Sequence, residues 1–291
     1  MNPLMRAMQL LAYVPLPILR AIGSALGMLL YVCARRRRAV VQANLAACFG
    51  HLDAAQRRAI ARRHFRLFAQ ALLDRAWLWH APVAVLRERI HFDGALVELE
   101  NPQPLIFLAP HMVGLDVGGV VLTELQQIST ACIYVPLSNV WAEEWMVQGR
   151  NRSGKVHSIA RKDGPQPVLR GLRKGIRLHL SPDMDFGAEG TLWVPFYGVP
   201  AATVPALSRF AKLGRARVCT LVSRLVPGGY EVRLSDAWAD FPSEDLQADT
   251  LRMNQCIEQW IDPDPAQYYW VHKRFKTRPP GAPGIYASGK G

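Results

Sequence analysis

The chain has 291 residues, 50% of them hydrophobic, with 35 lysines and arginines against 23 acidic residues and a formal net charge of +12. That length and apolar content support one large domain, or one domain with an appendage, and the charge calls for a polyanionic partner: nucleic acid, an anionic membrane face or a phosphorylated substrate. The five cysteines (Cys33, Cys48, Cys132, Cys219, Cys256) lie far apart with no CxxC, which argues against a zinc site or a disulfide framework and for a reducing compartment.

Residues 7–33 are mostly apolar but interrupted by Pro15, Pro17 and Arg20. The clean run from Ala21 to Cys33 is shorter than the ~20 residues a spanning helix needs. No small-residue cleavage site follows; the next feature is Arg35-Arg36-Arg37-Arg38. An apolar segment with such a flank reads as a membrane anchor, spanning or interfacial, with its basic end on the cytoplasmic side. The bland alternative is a buried N-terminal helix with solvated arginines. Gly23 and Gly27 form a GxxxG, a weak helix-packing signal by itself.

From Asp53 to His80 the period is helical: Ile60, Phe65, Phe68, Leu72, Leu73 and Trp77 recur on one side, and Arg57, Arg58, Arg62, Arg63 and Arg66 fill much of the remainder. Beyond residue 103, short apolar runs (Leu105–Ala109, Ala131–Val135, Ile176–Leu180, Val218–Val222, Tyr230–Leu234) alternate with helical stretches near 116–127, 140–149, 165–174, 203–213 and 244–260. That alternation predicts an α/β fold: a mixed, largely parallel sheet flanked by helices, with an N-terminal apolar membrane-anchoring helical segment. The expected division is an anchor and basic flank over 1–38 and a globular domain over 39–291, with a helical start (39–100) and an α/β core (101–291).

Ligands of open parallel sheets sit beyond the carboxyl ends of the strands. His111 follows Leu105–Ala109 and Pro110 at such an end, and Asp116 comes five positions later with Gly114 between. On a continuous helix the two would point to different faces. They meet only if His111 occupies the strand-to-helix turn and Asp116 the first helical turn. The expectation is then a general base, His111, held by the Asp116 carboxylate. Taken alone, His-x4-Asp describes a packed histidine and a helix cap just as well. A second polar turn, Ser181-Pro182-Asp183-Met184-Asp185-Phe186-Gly187, follows the strand at 176–180, and two such turns on one rim strengthen the case for a site. Gly149-Arg150-Asn151-Arg152-Ser153-Gly154-Lys155 mimics a nucleotide phosphate loop, but Val156 replaces the magnesium-binding hydroxyl and helix precedes it. Its arginines remain phosphate-binding candidates.

Several blocks together resemble the late acyltransferases of lipid A biosynthesis, within the lysophospholipid-acyltransferase-like group. They are His111-x4-Asp116, the 181–187 turn followed by Val194-Pro195-Phe196-Tyr197-Gly198-Val199-Pro200-Ala201-Ala202-Thr203, and Gln267-Tyr268-Tyr269-Trp270-Val271-His272-Lys273-Arg274-Phe275-Lys276-Thr277-Arg278-Pro279-Pro280-Gly281. Asn44-Leu45 and the apolar N-terminus also fit. Many relatives carry glutamate where this chain has Asp116, and an Asn-Trp pair where it has Gly114-Leu115. The departure preserves the charge and leaves chain length and acceptor position open.

The resemblance implies acyl transfer from acyl carrier protein to a hydroxyl of a lipid A precursor, at the bacterial inner membrane with the catalytic domain on the cytoplasmic side. It implies catalytic residues His111 and Asp116, a second required acid at Asp183, and a phosphate-reading pair at Arg150 and Arg152. Arg274, Lys276 and Arg278 are further substrate-binding candidates in a basic C-terminal strip, where Tyr269, Trp270 and Phe275 suit a membrane interface. No metal or cofactor is implied beyond the carrier-protein thioester as donor. Two alternatives stay open: an acyltransferase for another lipid acceptor, and a basic nucleic-acid-binding protein.

Overall fold

A computed structural model describes residues 3–286. The chain starts with α1 (Pro3–Leu11), α2 (Leu16–Cys33) and α3 (Arg35–Cys48), followed by the 27-residue α4 (Ala54–His80). Pro15 and Pro17 stand at the start of α2, where a missing N–H costs nothing, so the prolines open the helix instead of breaking it. Asp53 and Gln56 close a reciprocal capping box on α4: the Asp53 carboxylate accepts from the Ala55 and Gln56 N–H groups, and the Gln56 side chain accepts from the Asp53 N–H.

The α/β part runs α5 (Val83–Arg89), β1 (Ile90–Gly94), β2 (Leu105–Leu108), α6 (Leu115–Val120), β3 (Thr130–Tyr134), α7 (Val140–Arg150), β4 (Val156–Ala160), α8 (Gln166–Arg173), β5 (Arg177–Leu180), β6 (Leu192–Phe196), β7 (Val199–Thr203), α9 (Ala206–Gly214), β8 (Arg217–Val226), β9 (Gly229–Leu234) and α10 (Leu246–Ile261). Seven strands form one sheet in the order β1-β9-β8-β2-β5-β3-β4, parallel throughout except for the antiparallel β8–β9 pair, and β6–β7 make a separate hairpin. The predicted mixed, largely parallel sheet is therefore present. β2 lies inside it with Leu105–Leu108 fully buried, because helices cover both faces. Ile106 and Leu108 pack into one apolar layer with α8 and α9; Leu105 and Phe107 pack into the other with α4 and α6.

The apolar N-terminus is part of this packing. Among the described residues α2 is the one helix long and apolar enough to cross a membrane, with mean hydropathy 1.7 over Leu16–Cys33. One side of it lies along α4. A Cβ at Gly23 would fall 2.8 Å from the Gln70 Cα, and one at Gly27 would strike the backbone of Phe65 and Arg66, so the GxxxG lets two helices approach within this chain. Arg20, also on this side, reaches the buried Asp74 of α4 at 2.8 Å. The opposite side exposes Ile18, Ile22, Leu29 and Val32. In the arginine cluster Arg37 and Arg38 donate to the carbonyls of Val271 and Tyr31, and Arg35, Arg36 and Arg37 are exposed. The boundary expected at residue 38 thus falls within α3, inside one packed layer.

Burial also sets a pH dependence. His64, in the middle of α4, has no exposed surface; its Nδ1 donates to the Ala266 carbonyl at 3.0 Å and its Nε2 has no partner among the described residues. Burial pushes its pKa down to about 4. An unfolded imidazole takes its proton near pH ~6.5, so the unfolded state gains protons first as pH falls. Stability should then be flat above that value and decline toward pH 4, with His64 contributing on the order of 3 kcal/mol of the loss. Urea unfolding across that range checks this: the slope should flatten in His64→Gln, and an unchanged slope would exclude His64 as its source.

Candidate active site

Parallel pairing of β2 with β5 brings the two polar turns together. Leu108 pairs with Leu180, and the Ala109 N–H still bonds to the Leu180 carbonyl at 2.8 Å. His111 and Asp183 each stand three positions past that pair, each directly after a proline. The His111 Nδ1 lies 2.6 Å from Asp183 Oδ1, and the His111 backbone N–H donates to Asp183 Oδ2 at 2.9 Å. Asp183 is 1% exposed. Burial alone would raise its pKa, but the His111 ring and its N–H groups outweigh that and hold it at about 2. A carboxylate on Nδ1 keeps the proton there and leaves Nε2 as the free nitrogen.

The His111 turn is strapped from outside by the third motif block. Tyr269 N–H donates to the His111 carbonyl at 2.9 Å, Val113 N–H to the Gln267 carbonyl at 2.7 Å, and Met112 bridges to Tyr268. Asn44 on α3 secures the far side, donating to the Trp270 and His272 carbonyls at 2.8 Å each. Asp185 of the second block accepts from Thr277 N–H and Oγ1 at 2.6 and 2.8 Å, so the second and third blocks interlock.

Asp116 is in the first turn of α6, as the spacing requires, but it does not hold the imidazole. Its Oδ2 takes Arg75 from α4 at 2.7 Å and its Oδ1 takes Arg150 from the end of α7 at 2.9 Å. Burial would raise its pKa; the two guanidinium groups outweigh burial and hold the carboxyl well below the usual carboxylate range. The expectation that Asp116 orients His111 is thus corrected. The helical turn carries Asp116 toward α4 and α7, while the adjacent strand end delivers Asp183 at matching register.

His111 and the Asp116–Arg75–Arg150 group both line a cavity of about 440 Å³. Its walls are largely apolar, from Phe68 and Leu72 on α4 to Ile133, Val135 and Met146, with Ser181 and Tyr269 near the histidine's turn. His179 on β5 lines it as well, a neutral imidazole whose pKa burial pushes down to about 4.

The sequence model for bacterial lipid A biosynthesis acyltransferases matches residues 4–277. The chain belongs to that family. It is 31% identical over 281 residues to a lipid A biosynthesis acyltransferase of Haemophilus influenzae (strain ATCC 51907 / DSM 11121 / KW20 / Rd), covering 94% of this chain and 86% of the relative. It is 32% identical over 272 residues to the lipid A biosynthesis myristoyltransferase of Escherichia coli (strain K12), covering 91% and 82%. With the lauroyltransferase of the same organism it shares 28% over 286 residues, covering 95% and 91%. Membership decides between an enzyme and a nucleic-acid binder, the two classes the basic charge left open.

In this lipid A acyltransferase the other expected substrate residues separate. Arg150 lines the cavity, its Nε committed to Asp116. Arg152 does not; it donates to the Leu78 and Ala81 carbonyls at 2.8 and 2.9 Å and pairs with Glu124 at 3.2 Å, tying the turn after α7 to the C-terminus of α4. Arg274 is 1% exposed and clamps the β6–β7 hairpin through the Ala202 carbonyl at 2.9 Å and Thr203 Oγ1 at 2.7 Å. Lys276 is exposed and outside the cavity lining. Arg152 spends its donors on two backbone carbonyls and the Glu124 carboxylate, and Arg274 spends two of its nitrogens on the hairpin, while the buried Arg274 Nε has no partner among the described residues. The sequence reading passed over Arg75, Arg161 and His179 as cavity residues. A signal existed for His179, a histidine inside an apolar strand that ends at the second polar turn; Arg75, one of many arginines on a long helix, carries no such signal.

Proposed function

We propose that the chain transfers a fatty acyl group from an acyl carrier protein thioester to a hydroxyl of a lipid A precursor, with His111 as general base. The observation that carries this reading is the His111–Asp183 pair opening onto a cavity with apolar walls. The acceptor oxygen attacks the thioester carbonyl while His111 Nε2 takes its proton; the C–S bond then breaks and the imidazolium returns the proton to the departing thiolate. Asp183 retains the Nδ1–H and stabilises the imidazolium, as the carboxylate does in hydrolytic triads. Asp116 acts through its arginines, holding Arg150 at the cavity wall, where its remaining N–H groups face an anionic substrate group. The scheme has no role for a metal or a nucleotide.

The exposed apolar side of α2, with Arg35 and Arg36 at its end, supports docking at the cytoplasmic face of the inner membrane. The test is direct. Full-length protein in detergent is incubated with acylated carrier protein and a lipid A precursor, and mass spectrometry should show the gain of one acyl group. Parallel reactions offer a glycerophospholipid and an ornithine lipid. Acylation of one of those and not of the lipid A precursor would overturn the acceptor assignment.

A further inference from the structure

The cavity holds three arginines among its described lining residues, and they are not equivalent. Arg75 and Arg150 flank Asp116, so two of the cations share one carboxylate. Arg161 has no carboxylate within ion-pair distance among the described residues. It sits in the 3₁₀ turn Arg161–Asp163 that follows β4, hence on the same carboxyl rim of the sheet as His111. The residue is exposed, and its guanidinium lies 4.0 Å from the centroid of the Phe186 ring. Phe186 belongs to the turn that carries Asp183, is 37% exposed and also lines the cavity.

A guanidinium laid on an aromatic ring is held in place by the ring face, while its N–H donors point outward in the plane. Arg161 therefore has an oriented fork, an open surface and no ion-paired carboxylate among the described residues. Lys162 is exposed beside it and adds positive charge; Asp163, also exposed, offsets part of it. Such a fork takes phosphate bidentately. Resting on the acyl-transfer reading above, we infer that Arg161, seated on Phe186, is a phosphate-binding subsite at the mouth of the cavity. Two substrate phosphates have this chemistry: one on the lipid acceptor, and the phosphodiester of the phosphopantetheine arm that carries the acyl thioester.

The test uses full-length protein in detergent and reads equilibrium binding and KM for two pairs of ligands. One pair is the lipid A precursor with its phosphates and after phosphatase treatment; the other is acyl-phosphopantetheine and acyl-pantetheine. In Arg161→Gln the preference for the phosphorylated member of one pair should fall about 10- to 100-fold, the effect of losing a charge-assisted bond, chiefly through KM. The pair that responds identifies the phosphate. Arg161→Lys should recover part of the preference, and Phe186→Leu should lose part of it, with melting temperatures unchanged because both side chains are at the surface. Equal weakening of both members, or no change in either pair, overturns the proposal. Phosphate-dependent binding without turnover in the parent protein overturns the acyl-transfer reading alone.

Discussion

His111→Ala should lower single-turnover acyl transfer by roughly 10²–10⁴-fold while the protein melts as its parent does. The histidine occupies a turn and its side chain is 22% exposed, so little core volume is lost with it. Asp183→Asn is the more diagnostic partner. An asparagine amide turned toward Nδ1 donates a hydrogen bond there, shifts the proton to Nε2 and leaves no base; in hydrolytic triads that change costs roughly 10⁴-fold. Asp116→Asn should behave differently. It loosens Arg75 and Arg150, so it should lower stability and weaken binding of an anionic substrate, and it should leave the pH–rate limb of the base in place. Rate, melting temperature and pH profile for the three variants separate the roles. If Asp116→Asn moved that limb and Asp183→Asn did not, the assignment of the orienting carboxylate would be reversed.

The largest expected effect on stability belongs to Arg20. Its Nε contacts Asp74, 1% exposed, and its terminal nitrogens donate to the Val226 and Gly229 carbonyls at 3.3 and 3.2 Å. Asp74 also accepts from Trp77 Nε1 at 3.0 Å and Tyr230 OH at 2.8 Å, so one ion pair joins α2, α4 and the β8–β9 hairpin. Burial pushes the Asp74 carboxyl up even with Arg20 beside it. Removing one partner of such a pair leaves an uncompensated buried charge and typically costs about 3–5 kcal/mol. Arg20→Ala should therefore lower the unfolding free energy by that much, read as a lower denaturant midpoint at an unchanged m-value, and Arg20→Met with Asp74→Leu should restore a good part of it. A deletion of residues 1–38 removes Arg20 together with the helix that covers α4. Its expected outcome is loss of the folded state even in detergent, and a soluble, cooperatively melting truncation would show that this layer is dispensable.

Local pattern was enough for much of the architecture. The apolar runs at 105–109, 131–135, 176–180, 218–222 and 230–234 coincide with β2, β3, β5, β8 and β9, since each is short, apolar and bounded by turn residues. The helix from Asp53 to His80 was legible from the helical spacing of its apolar residues, and the structure starts it at Ala54 with Asp53 as its cap. The strands at 90–94 and 156–160 escaped notice. His91, Asp93, His157 and Ser158 break the apolar run because these strands end the sheet, where one side meets solvent.

By itself the sequence determined the family, the α/β class and the two prolines that place His111 and Asp183 on the rim, because those depend on composition, period and local turn chemistry. It named both His111 and Asp183 but coupled His111 to Asp116, the acid that the fold gives to Arg75 and Arg150. Spacing along the chain measures nearness only within one element, and His111 and Asp183 are 72 positions apart. Only the parallel register of Leu108 with Leu180 sets them side by side, and only the packing of α4 and α7 against α6 gives Asp116 to Arg75 and Arg150. The same holds for charge. Four arginines in a row look alike on paper, as do Arg150, Arg152, Arg161 and Arg274. Tertiary packing decides which guanidinium groups are taken up by carbonyls and carboxylates and which stay open, because an enclosed donor left without a partner is costly while an exposed one keeps its fork for a ligand.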